Sequence, residues 1–147
     1  MWDSQTIYKK VTVSADKYGH TNPQQLKQLT FCIAQSAPQD AYDGLIRIFT
    51  EASSNASNRQ ELAGRLLFKV NPTAQFDVKR ILEASLEFYD LSVEELPFYL
   101  VSQAGLEKVI DAADKISETQ LTEKQTRALN TIKYWLRNYK TGIKPKV

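Results

Sequence analysis

A chain of 147 residues defaults to one domain and is long enough to bury a substantial core. Its 42% hydrophobic and 24% charged residues suit a folded chain, and its one cysteine, Cys32, excludes an internal disulfide and a cysteine-rich zinc site. The net charge of +2 hides an asymmetry, with four Lys/Arg against ten Asp/Glu in residues 76–118 and seven Lys/Arg against Glu123 alone in residues 119–147.

The opening MWDSQTIYKK lacks the apolar run of a signal peptide, and no stretch approaches the ~20 apolar residues of a membrane-spanning helix. The chain is therefore expected to be cytoplasmic. Residues 1–19 fit a helix with Ile7, Val11 and Tyr18 facing inward and Gly19 ending the run, although KKVTV also fits a short extended piece. A phrase then recurs three times: NPQQL from Asn22, NRQEL from Asn58 and SVEEL from Ser92, at intervals of 36 and 34 residues. An Asn or Ser can accept from the free N–H groups of a helix's first turn, and a Gln or Glu three residues on can close a capping box. Asn22 with Gln25, Asn58 with Glu61, and Ser92 with Glu95 fit that pattern, and Pro23 suits the first helical position. Each phrase is expected to start a helix.

Apolar residues follow each start at helical spacing: Leu26, Leu29, Ile33 and Ala37; Leu62, Leu66, Leu67 and Val70; Leu96, Tyr99, Leu100 and Ala104. Second stripes lie between them: Ala41, Leu45, Ile46, Phe49 and Ala52; Val78, Ile81, Leu82, Ser85 and Tyr89; Leu106, Val109, Ile110, Ala113 and Ile116. Pro38, SSNAS at residues 53–57, Asn71-Pro72 and Gly105 mark the breaks. A last helix is expected from Thr122, boxed by Gln125 and carrying Leu129, Ile132, Leu136 and Tyr139, with a stop at Gly142, Ile143 and Pro145. Pro97 falls inside the third expected helix, either as a tolerated bend or as one that aims Phe98 and Tyr99 at a partner.

The unit implied is a helical hairpin of about 35 residues used three times. The expected class is all-α: a right-handed α–α superhelix of about three hairpins with capping helices at both ends, one helical-repeat domain over residues 1–147. Over residues 22–117 the pattern resembles the HEAT-type helical repeats. The set Trp, Gly and Pro of tetratricopeptide repeats are absent.

Catalytic signals are sparse. The single His20 sits beside Gly19 in an expected connection, Cys32 lies in a helix among Leu29 and Ile33 as a small buried hydrophobe would, no phosphate-binding glycine motif occurs, and no metal or cofactor set is evident. Glu94 and Glu95 suit a first helical turn, where negative charge is favoured, and Glu83 and Glu87 suit a polar helix face. No enzyme activity is expected. Two surfaces remain. One is an acidic–aromatic corner of Glu83, Glu87, Tyr89, Asp90, Glu94, Glu95 and Tyr99, suited to a basic protein partner, although charge runs also simply solvate helices. The other is the basic end, Lys133, Arg137, Lys140, Lys144 and Lys146, which could track nucleic-acid phosphates or merely compensate a helix dipole. In size, helical class and acidic–aromatic corner the chain resembles the helical immunity proteins that neutralise toxins exchanged between neighbouring bacteria. That resemblance implies a toxin partner, such as a basic nuclease domain, docking around residues 83–99. Nucleic-acid binding through the basic end is the alternative.

Overall fold

The computed structural model describes residues 1–140, with only the backbone of Lys140, and every regular element among them is helical. The expected Gly142 stop, with Ile143, Pro145, Lys144 and Lys146, lies outside the described residues. The elements are α1 (Ser4–Tyr18), α2 (Pro23–Ala34), α3 (Pro38–Ile46) running into a 3-10 turn (Arg47–Phe49), α4 (Ala56–Val70), α5 (Val78–Ser85), α6 (Glu95–Ala104), α7 (Leu106–Ser117) and α8 (Glu123–Lys140). No helix is long and apolar enough to cross a membrane among the described residues.

The local reasons are visible at the helix ends. The first segment is a helix, and the extended alternative for KKVTV does not occur. Asp3 caps α1 by accepting from the Thr6 N–H at 2.8 Å, and Gly19, at a φ of 75°, ends it. Tyr18, expected inside, is 43% exposed. Asn22 caps α2 through the Gln25 N–H at 3.0 Å, with Pro23 at the first position. The Gln25 side chain does not return to Asn22; its Oε1 accepts from Ser14 Oγ at 3.1 Å. Thr122 and Gln125 close the box in both directions, at 3.0 and 3.1 Å.

Two expected starts are displaced. The helix of the second phrase begins at Ala56 with Asn55 as N-cap, so Asn58 lies within the first turn and not ahead of it. The helix of the third phrase begins at Glu95, and Ser92 belongs to the turn before it. In α4 the cap position falls three residues earlier than expected, at Asn55, and in α6 two residues later, at Glu94, because apolar spacing fixes a helix face more firmly than its first residue. The shift also resolves Pro97. It sits in the first turn of α6, where the N–H it lacks would have no partner within the helix, and so costs no helical bond. Pro38, expected as a break, occupies the first turn of α3.

One apolar core runs from Ile7 and Val11 through Ile33, Phe49, Leu66, Leu82, Leu100 and Val109 to Leu136, drawing on all eight helices. The predicted stripes supply most of it. Ala52 is an exception, exposed beyond the 3-10 turn, and Tyr89 is reached by the turn after α5 and not by the helix itself. The strongest packing joins helices two apart in the chain: α1 on α3, α4 on α6, and α5 on α7. The expected pairing of α6 with α7 occurs, whereas α2 touches α3 only slightly and α4 with α5 is not among the principal contacts.

Candidate functional site

The acidic stretch of residues 83–99 spans the end of α5, a tight turn and the start of α6. Gln60 of α4 positions this turn. Fully buried, it donates through Nε2 to the Phe88 carbonyl at 2.6 Å and accepts from the Asp90 N–H at 2.7 Å. The amide thus holds the main chain on both sides of Tyr89. A buried amide engaged at both ends fixes local geometry, because freeing either end leaves a desolvated group without a partner.

This clamp sorts the predicted site residues into two groups. Tyr89, Glu95 and Tyr99 do not belong to the surface. Tyr89 is buried, and its hydroxyl donates to the Val93 carbonyl. Tyr99 is buried, donates to the Pro72 carbonyl at 2.6 Å and stacks near Tyr42 and Phe76. Desolvation raises both phenols well above their usual range. Phe98 is also internal, against Trp135 and Tyr139 of α8, so the Pro97 turn aims neither ring at a partner. The aromatic half of the predicted corner is mainly its floor, since large rings gain more from burial than from solvent exposure.

Glu83, Glu87, Asp90 and Glu94 form the outer group. Glu83 is exposed and pairs with Lys79 at 2.8 Å, and Glu87 is half-buried with Lys124 at 4.0 Å. Asp90 accepts from the Ser92 N–H at 3.0 Å and from the Ser92 hydroxyl at 2.8 Å. Burial works to raise its carboxyl, but these bonds, a further one from Ser57 and the charge of His20 bring it below the usual carboxylate range. Glu94 is half-buried at the N-cap of α6. Between these carboxylates lie Phe88, half-buried, and Leu91, which is 38% exposed.

Glu95 is the unusual member. It is fully buried, and neither carboxyl oxygen has a hydrogen-bond partner among the described residues. Burial pushes its pKa up to about 7; the neighbouring carboxylates Glu61 and Glu94 add to the rise, and Arg65 opposes it. Glu61, also buried, has its Oε1 3.1 Å from Ser92 Oγ. The sequence pattern makes Glu61 and Glu95 capping-box partners of Asn58 and Ser92. Gln60, Glu61, Arg65 and Glu95 instead form a polar layer under the turn. Their signal was that three of them fall within the recurring phrases, at positions the displaced helix starts turn inward.

The other candidates are dispersed. His20 Nδ1 lies 2.8 Å from Asn58 Oδ1, and Cys32 is half-buried on α2. No group of three His, Cys, Asp or Glu able to hold a metal occurs among the described residues. At the basic end, Lys133 is engaged with Asp114 at 3.4 Å and with Ser117 Oγ at 3.0 Å, and Arg137 lines a shallow notch between α7 and α8. The Lys140 side chain lies outside the description. No family model matches this sequence, and no curated protein or solved structure matches it either.

Proposed function

We propose that the chain is a non-enzymatic protein-binding module that receives a basic partner surface on the ridge of Glu83, Glu87, Asp90 and Glu94, as an immunity protein receives its toxin domain. One observation carries the reading: Glu87, Asp90 and Glu94 follow Glu83 of α5 through the segment between α5 and α6, which buried Gln60 holds at two main-chain points, with Leu91 exposed among them. A turn fixed in advance loses little entropy when a partner docks. Its carboxylates steer a cationic partner, and Leu91 and Phe88 supply apolar contact. The present ion pairs of Glu83 and Glu87 are solvent-exposed and so worth little, which leaves both carboxylates exchangeable. Packing of helices two apart is what successive units of a HEAT-type stack would show, whereas pairing within the expected unit is pronounced only between α6 and α7.

The test is crosslinking with mass spectrometry in lysate of the source cell, comparing the natural chain with Glu83→Lys/Glu87→Lys. Both positions are solvent-facing, so the fold should survive. The reading expects a basic protein crosslinked near residues 83–94, lost in the double variant and weakened by salt. Capture that the variant leaves unchanged would refute it.

A further inference from the structure

The segment linking α4 to α5, residues 71–77, contains no helix, turn or bend, yet it is held at four places. Asn71, in a left-handed conformation at φ 47°, accepts through Oδ1 from Ser102 Oγ and Gln103 Nε2, both at 3.0 Å. The Pro72 carbonyl takes the buried Tyr99 hydroxyl at 2.6 Å. Gln39 of α3 grips the main chain of Gln75, accepting from its N–H at 3.0 Å and donating to its carbonyl at 3.3 Å. Phe76 stacks on Tyr42 with ring centroids 4.9 Å apart. Between these anchors, the main-chain groups of Thr73, Ala74 and Phe76 make no hydrogen bond to the described residues. A run outside any helix or turn, with N–H and C=O groups that no described residue takes, offers a partner chain main-chain groups to pair with as an edge strand does.

This run forms one wall of a groove of about 820 Å³. The facing wall is a stripe of α7: Lys108, Asp111, Ala112 and Lys115. Residues 76–118 are strongly acidic as a whole, yet Lys79, Lys108 and Lys115, three of their four cations, line this groove. Lys79 is paired with Glu83, whereas Lys108 and Lys115 are exposed and in no ion pair among the described residues. Of the two carboxylates present, Asp77 is turned to its own helix, accepting from the Arg80 N–H at 3.2 Å, which leaves Asp111 between the two lysines.

We propose that this groove binds an extended acidic peptide segment, paired main chain to main chain with Thr73, Ala74 and Phe76 and held at its carboxylates by Lys108 and Lys115. The anchoring supplies the ordering in advance, so a bound strand pays mainly for its own immobilisation. Main-chain pairing gives affinity, and the lysines give preference for acidic side chains, which recur on one face of a strand every second residue. The inference is independent of the acidic ridge and concerns a partner of opposite charge.

The test is titration of the isotope-labelled chain, followed by amide resonances, with a capped six-residue peptide of alternating Glu and Val. Two controls accompany it: the Lys/Val counterpart, and the Glu/Val peptide with alternate amides N-methylated. Shifts centred on Thr73, Ala74 and Phe76 are expected, with affinity falling about tenfold or more in Lys108→Glu/Lys115→Glu. The N-methylated peptide should lose a similar factor. No shifts at those amides, equal binding of the Lys/Val peptide, or equal binding of the N-methylated peptide would overturn the proposal. Both substituted lysines are solvent-exposed, and an unchanged amide spectrum elsewhere confirms that the variant folds.

Discussion

Replacing Glu95 by Gln should flatten the dependence of stability on pH near neutrality. The folded state holds the Glu95 proton up to about pH 7, whereas a carboxyl in the unfolded chain releases it near 4.5. Between those values the folded state binds more protons, so stability is greatest below about 4.5 and declines as pH rises through 7. At about 1.4 kcal/mol per factor of ten, the full loss is about 3 kcal/mol, of which about 2 kcal/mol falls between roughly pH 5.5 and 8.5. The carboxyls of Asp16, Glu51 and Asp90 act in the opposite sense, because theirs are lowered, and their contribution is largely complete below that window. Urea unfolding of both chains across the window, read by helical circular dichroism, measures the difference. The natural chain should lose about 2 kcal/mol and Glu95→Gln almost none of it. Equal losses in the two chains would refute the claim that Glu95 is a buried acid without hydrogen-bond partners.

Further substitutions probe the scaffold. Tyr99→Phe removes the bond to Pro72 and leaves a buried carbonyl unsatisfied, so urea unfolding should show a loss of about 1–2 kcal/mol. Thr122→Ala opens the α8 capping box and should cost about 1 kcal/mol by the same measurement. Gly44→Ala would place a Cβ 2.7 Å from the Ser4 carbonyl and 2.9 Å from Ile7, where α3 meets α1, and should lower stability by about 1–3 kcal/mol. Unchanged thermal unfolding of Gly44→Ala would show that α1 and α3 approach less closely than described.

The all-α class was legible because alternating stripes at spacings of three and four persist across the chain, and the stripes named from sequence form most of the core. The starts of α2 and α8 were legible too, since Pro23 fits the position after Asn22 and Gln125 closes the box on Thr122. The starts of α4 and α6 were not. In each, the expected cap yielded to a residue two or three positions away, because the buried apolar face sets the helix more firmly than a local cap does, and Gln60, Glu61 and Glu95 are carried inward with it. That choice depends on long-range partners, such as Gln60 reaching Phe88 and Asp90, which no local pattern encodes. The same reason explains the corner. Alternation of acids and rings reads as a mixed surface, while the fold turns Tyr89, Phe98 and Tyr99 inward and leaves Glu83, Glu87, Asp90 and Glu94 at or near the surface. Helix pairing was legible only in part, since packing between helices two apart leaves no mark in the spacing within one helix.

Amide hydrogen exchange of the chain alone and saturated with its captured partner tests the ridge most directly. The account predicts new protection concentrated at residues 83–94 and weakened in Glu83→Lys/Glu87→Lys. Protection centred on α8, with residues 83–94 exchanging as in the free chain, would contradict it.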